Sequence, residues 1–130
     1  MDALALALRK AAFDVVVCVQ NGAAVVGADP GALMQEAARV TRPGGRVLLS
    51  SCAERFWEAR LRWFRIQTAR ELVGPIDEAA TGGGTIVCND GFRATTVTPD
   101  EFRRVAARLQ YSMRIIEVDG SSMFCDVHVP

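Results

Sequence analysis

Phe56, Arg60, Trp63 and Gln67 recur at steps of four, three and four and so share one helical stripe. Two rings flanking a guanidinium and an amide suit an anionic or planar substrate, because arginine forks onto carboxylate or phosphate. The same stripe also reads as a wide core face, its arginine packed by the stem and paired with an acid. Downstream, Asp90-Gly91-Phe92 sets a carboxylate on a hairpin that could act as a lid. Asp90 is the candidate general base if a substrate must lose a proton, with Phe92 beside it; a plain Asp-Gly turn explains the same residues. Two further candidates each end an apolar run: Val19-Gln20-Asn21-Gly22 and Ser50-Ser51-Cys52. Asn21-Gly22 is also an ordinary turn pair. Ser50, Ser51 and Cys52 could line the substrate side of a cleft, or Ser51 could cap the helix that follows with Glu54 nearby.

Other chemistries find little support. His128 is the single histidine, and Cys125 lies three residues before it, so on a strand the two face opposite sides. Cys18, Cys52, Cys88 and Cys125 have no paired spacing of the zinc kind. They read as buried thiols in a reducing cytoplasm, which sets the expected location. Gly82-Gly83-Gly84 is not followed by Lys-Ser/Thr, so it is no phosphate loop. Fifteen cations balance fifteen anions, which points to neither nucleic acid nor a membrane surface as a partner. All the cations but Lys10 are arginines, scattered along an Ala- and Val-rich chain, which reads as genome composition. There is no basic n-region of a secretory signal before the apolar Ala3–Leu8, and no apolar run long enough for a bilayer.

The elements that must position these residues can be read in order. With 130 residues, half of them apolar, the chain has material for one core and one domain. Val15–Val19 is a short β-branched run of the kind buried on both faces of a parallel sheet. Asp29-Pro30 opens a helix as N-cap and first helical residue, with Leu33, Met34, Ala37 and Val40 on its apolar face. Pro43-Gly44-Gly45 ends it and Val47–Leu49 is a second buried strand. Strand, crossover helix and strand make a right-handed βαβ unit, and ligands of such sheets bind beyond the carboxyl ends of the strands. Those ends are Gln20-Asn21-Gly22 and Ser50-Ser51-Cys52. Residues 1–12 are ambiguous and lean to helix. Residues 53–73 predict the longest helix, with Trp57, Leu61, Phe64 and Leu72 facing the core, Glu58 pairing Arg62 on the outer side, and Gly74-Pro75 as the stop. Thr85–Asn89 and Phe92–Val97 form a hairpin. Thr98-Pro99-Asp100-Glu101 is a capping box, and Phe102, Val105, Ala106 and Leu109 are the apolar face behind it. Met113–Val118 and Met123–Val129 close the chain as an antiparallel pair. The order is β-α-β-α-(β-hairpin)-α-β-β.

This pattern resembles the second half of the class I S-adenosylmethionine-dependent methyltransferases. The resemblance rests on Phe13-Asp14 opening an apolar strand, Asn21-Gly22, a helix, Arg39-Val40-Thr41-Arg42-Pro43-Gly44-Gly45 running into a strand, and the closing hairpin. Phe56–Gln67, Cys88-x-Asp90-Gly91-Phe92 and Ser121-Ser122-x-Phe124-Cys125 look like a subgroup signature. It implies an α/β fold, a partial Rossmann-like sheet of parallel strands with helices ending in an antiparallel hairpin, as a single incomplete domain over residues 1–130. It implies S-adenosyl-L-methionine as cofactor, with Val19, Gln20, Asn21 and Gly22 beside its methionine part. A small-molecule acceptor would be methylated directly, and Ser51, Phe56, Arg60, Trp63, Gln67 and Phe92 would line its side. The family's glycine-rich loop and ribose-binding acid have no counterpart before Phe13. The chain is therefore expected to be a truncated gene product, an expressed fragment or the result of a start codon placed too late. The Val15–Val19 strand would then present a sticky edge that favours self-association. Two alternatives stay open: a non-catalytic, methyltransferase-like dimerisation or binding module, and another doubly wound nucleotide-binding domain.

Overall fold

The computed structural model describes residues 2–19, 22–25 and 29–130, the side chain of Val25 excepted. β1 (Phe13–Cys18) is followed by a one-turn helix α1 (Gly22–Val25), α2 (Pro30–Val40) and β2 (Thr41–Cys52). A 3₁₀ turn (Glu54–Phe56) leads into α3 (Trp57–Ala69). The hairpin β3 (Thr85–Val87) and β4 (Arg93–Thr95), α4 (Pro99–Leu109), β5 (Ser112–Val118) and β6 (Ser122–His128) complete the chain.

The main sheet has the order β1-β2-β6-β5. β1 and β2 are parallel, with Val16 opposite Val47 and Cys18 opposite Leu49. β6 enters antiparallel between β2 and β5, so Leu49 faces Cys125, which in turn faces Ile115. The predicted closing hairpin is therefore present, and its second strand sits beside β2. Asp119 and Gly120, both at positive φ, make its tight turn.

α2 and α4 lie together on one sheet face. Both start as their sequences demand. Asp29 accepts the Gly31 N–H at 3.0 Å ahead of Pro30. Thr98 and Glu101 form the reciprocal capping box. Leu33, Met34 and Ala37 of α2 and Phe102, Val105 and Ala106 of α4 meet Val47, Leu49, Met123, Cys125 and Val127 of the sheet in one buried cluster. Each large side chain withdrawn there contributes roughly 1.5–3 kcal/mol.

Among the described residues no helix covers the opposite sheet face, which is bare in that sense and corrects the expectation of a strand buried on both sides. Val15, Val17, Val19, Ile116, Val118 and Phe124 are exposed there, and Val17 shows 55% of its surface. Both long helices that cover the sheet pack on the other side, and α3 turns away to the β3–β4 hairpin. β1 is also the outer strand, so its free edge is unpaired among the described residues.

Five further expectations change. Residues 2–12 form no helix; the segment is strapped to α2, where Glu36 accepts the Leu6 N–H and Arg39 donates to the Leu6 and Leu8 carbonyls. Pro43-Gly44-Gly45 is not a loop but a bulge within β2, where the register jumps between Phe13 opposite Thr41 and Val15 opposite Arg46. A Cβ on Gly45 would lie 2.7 Å from the Asp14 carbonyl, so only glycine lets the two strands approach. α3 stops at Ala69, four residues short, because Glu71 takes φ 57°. Its core stripe is not formed as expected: Leu72 is 70% exposed and Trp57, Leu61 and Phe64 are only half-buried. Arg65, not Arg62, makes the ion pair of this helix, with Glu78.

Candidate functional site

The carboxyl ends of β1 and β2 meet the turn that opens β6. Val19, Ser50, Ser51, Cys52, Phe56, Ser121, Ser122 and Phe124 line a cavity of about 500 Å³ there. The parallel pairing of β1 with β2 places two strand ends side by side. The insertion of β6 then brings Ser121 and Ser122 to the same rim, and Ala53 N–H donates to the Ser121 carbonyl at 2.9 Å. The wall mixes four hydroxyls with two phenyl rings. Rings of this kind attract a cationic centre such as a sulfonium through their negative faces.

Five of the sequence candidates, Val19, Ser50, Ser51, Cys52 and Phe56, meet in this cavity. Gly22 opens α1 beside it, and a Cβ there would collide with the Cys18 sulfur, so glycine lets the helix start close against β1. Gln20 and Asn21 lie outside the described residues. Ser51 does not cap the following helix. It belongs to β2, is buried, and its Oγ accepts the Val97 N–H at 2.9 Å, which ties the sheet to the chain leaving β4. The 3₁₀ turn and α3 start without any side-chain cap. Ser121, Ser122 and Phe124 were not singled out as site residues, although Ser121-Ser122-x-Phe124 stood out in the sequence as a signature.

The Phe56–Arg60–Trp63–Gln67 stripe does not form one surface. Phe56 reaches the cavity, Trp63 is 59% exposed, and Gln67 is half-buried. Arg60 goes inward to the hairpin: its Nη1 donates to Thr96 Oγ1 at 2.6 Å and lies 3.4 Å from the Gly84 carbonyl. Burial pulls this guanidinium below its ordinary pKa, against the field of the nearby Cys52 thiol. The acid partner expected for it is not there among the described residues. Phe92 packs on Phe64 with ring centroids 5.9 Å apart, holding the hairpin to α3. Asp90 spends both carboxylate oxygens on backbone, accepting from Gly74 N–H and Phe92 N–H at 3.0 Å each. That is the work of an Asp-Gly turn locking the hairpin to the end of α3.

Comparison with known proteins bears on the fold. A family model described as a methyltransferase domain matches residues 1–49. No curated protein matches the chain. A methyltransferase of Methanosarcina mazei described as dependent on S-adenosylmethionine superposes with a TM-score of 0.64 at 16% identity, covering 99% of this chain and 65% of that one. The fold is that of the S-adenosylmethionine-dependent methyltransferases. The PH0226 protein of Pyrococcus horikoshii superposes with a TM-score of 0.70 at 17% identity, covering 100% and 60%. A methyltransferase of Bacteroides fragilis, solved with S-adenosyl-L-homocysteine, gives 0.59 at 16%, covering 98% and 52%. This methyltransferase-fold chain therefore spans about two thirds or less of the solved proteins named here. No helix among its described residues is long and apolar enough to cross a membrane.

Proposed function

We propose that this chain takes part in S-adenosylmethionine-dependent methyl transfer to a small-molecule acceptor, and that the cavity at the β1, β2 and β6 ends is its share of the site. The observation that carries the reading is this cavity at the carboxyl ends of two parallel strands, walled by hydroxyls and rings. The residues present fit the cofactor. Serine hydroxyls suit a charged amino-acid moiety and the Phe56 and Phe124 rings suit a sulfonium. Bound there, S-adenosylmethionine would supply an electrophilic methyl group. Val19, Gln20, Asn21 and Gly22 would hold its methionine part, and Phe56 and Ser51 would flank the acceptor side. The chain's contribution is chiefly positioning and exclusion of water. In this reading Asp90 fixes the hairpin that carries Phe92, as its two backbone hydrogen bonds favour, and Trp63 and Gln67 lie outside the contact set.

Calorimetric titration with S-adenosyl-L-homocysteine, paired with thermal melting, tests the reading. Saturable heat and a raised melting temperature are expected. No heat and no shift at millimolar ligand would refute a working cofactor site in this chain.

The bare face and free edge of β1 favour a second reading, a module that associates with a copy of itself through β1. Four cysteines without a disulfide among them support a reducing, cytoplasmic setting.

A further inference from the structure

A second cavity, of about 280 Å³, opens beside the β3–β4 hairpin and is lined by Glu54, Trp57, Gly83, Gly84, Thr96 and Thr98. Gly83, Gly84 and Thr96 share its lining. Gly83 and Gly84 both take positive φ in a tight turn, and neither N–H has an acceptor among the described residues. Thr96 Oγ1 already accepts from Arg60, which leaves its own proton to give. Behind Thr96 stands Arg60, 3% exposed, with a buried Nε that has no hydrogen-bond partner. A guanidinium does not shed its proton at any physiological pH. Among the described residues no ion pair neutralises it, so its charge favours an anion placed within reach of its field.

We propose that this cavity receives the carboxylate of a small organic acid, the acceptor in the methyl-transfer reading above, on which the word acceptor rests. The Thr96 hydroxyl and the Gly83 and Gly84 amides donate to the carboxylate, and Arg60 supplies the positive field from behind. Trp57 offers a flat apolar wall for the rest of the molecule. Glu54, on the exposed side of the same cavity, selects a single negative charge over a doubly charged phosphate and keeps the acid's far end neutral or cationic. Arg60 is thus a recognition residue, acting through Thr96.

The test uses benzoate, its uncharged isostere benzamide, and inorganic phosphate, without cofactor. Trp57 fluorescence is followed in the full chain carrying Trp63→Phe, which removes the only other indole. Benzoate should saturate in the millimolar range, as the size of so small a ligand allows. Benzamide should bind at least about tenfold more weakly because it lacks the charge that Arg60 favours, and phosphate at least about tenfold more weakly because its second charge meets Glu54. Arg60→Met should remove the preference for benzoate, and Arg60→Lys should restore part of it. Equal binding of benzoate and benzamide, tighter binding of phosphate, absence of saturation, or an Arg60→Met chain that keeps the preference would each overturn the proposal. Should Arg60→Met fail to fold by circular dichroism, the benzoate and benzamide comparison on the unsubstituted Arg60 decides alone. Homocysteine-nucleoside binding is read independently. Loss of that binding with benzoate retained refutes the methyl-transfer reading and leaves the pocket standing, and the reverse result refutes only the pocket.

Discussion

Asp126 to Asn is the substitution that most directly probes the bare sheet face. The Asp126 side chain is 4% exposed, and its carboxylate accepts from Arg46 Nε at 3.0 Å, Arg46 Nη2 at 2.5 Å and Arg114 Nη2 at 3.3 Å. Removing one member of a fully buried pair costs about 3–5 kcal/mol, whereas an exposed pair is worth roughly 0–1. Here the acid is buried but the side chains of Arg46 and Arg114 are 46% and 68% exposed, so water can take over much of their solvation. Asparagine also keeps the shape and one acceptor. The expected loss is therefore about 1–3 kcal/mol at neutral pH, or a melting point lower by roughly 3–12 °C for a domain of this size. Hydrogen bonding to Arg46, outweighing the opposing effect of burial, holds the Asp126 carboxyl below its ordinary range, with His128 and Arg114 adding to the same direction. A carboxylate depressed in the folded state contributes stability that is present above its unfolded pKa and lost as pH falls through the folded value. The gap between the two chains should hold from about pH 7 to 5, begin to close near the ordinary carboxyl value of about pH 4, and vanish only as pH falls through the lower folded value. Urea unfolding followed by circular dichroism at a series of pH values measures it. No gap at pH 7, or a gap that persists unchanged to about pH 3, would refute the assignment of Asp126 as the charged centre of this face.

Three further outcomes are expected. Phe102→Ala empties a site with no exposure at the α4–sheet contact and should lower stability by about 3–5 kcal/mol in urea unfolding, with a loss under 1 kcal/mol contradicting the described core. Val17→Lys lies on the exposed face of the edge strand and should cost less than about 1 kcal/mol while shifting any assembly toward monomer; light scattering that shows the same assembly for both chains would rule out association through β1. Alkylation at pH 8 followed by peptide mass mapping should modify the part-exposed Cys18 before Cys125, whose thiol burial and the Asp126 charge push up to about 12. Early labelling of Cys125 in the folded chain would mean that β6 is not a central strand.

Local chemistry by itself determined the elements and much of their order. Asp29-Pro30 and Thr98-Pro99-Asp100-Glu101 start helices because a side-chain acceptor and a proline satisfy the first turn wherever the segment lies. Asp119-Gly120 closes a hairpin for a similarly local reason, and the βαβ order with a terminal hairpin was enough to suggest the fold. Tertiary structure decided what each element faces. Val15 and Val17 carry the pattern of a buried strand, yet whether they are covered depends on which side α2 and α4 pack, a choice no β-strand encodes alone. The Arg60 stripe had two readings until the hairpin was in place, because the burial of a guanidinium depends on residues 24 and 36 positions away. Ser51 reads from its neighbours in the chain as a cap or a cleft residue, and the Val97 N–H, 46 residues on, makes it a bridge between the sheet and the hairpin. Ser121 and Ser122 joined the strand-end cavity only because β6 inserts beside β2. Turns and caps depend on neighbouring residues, whereas sites are formed by contacts between distant ones, and contacts of that second kind assemble both cavities of this chain.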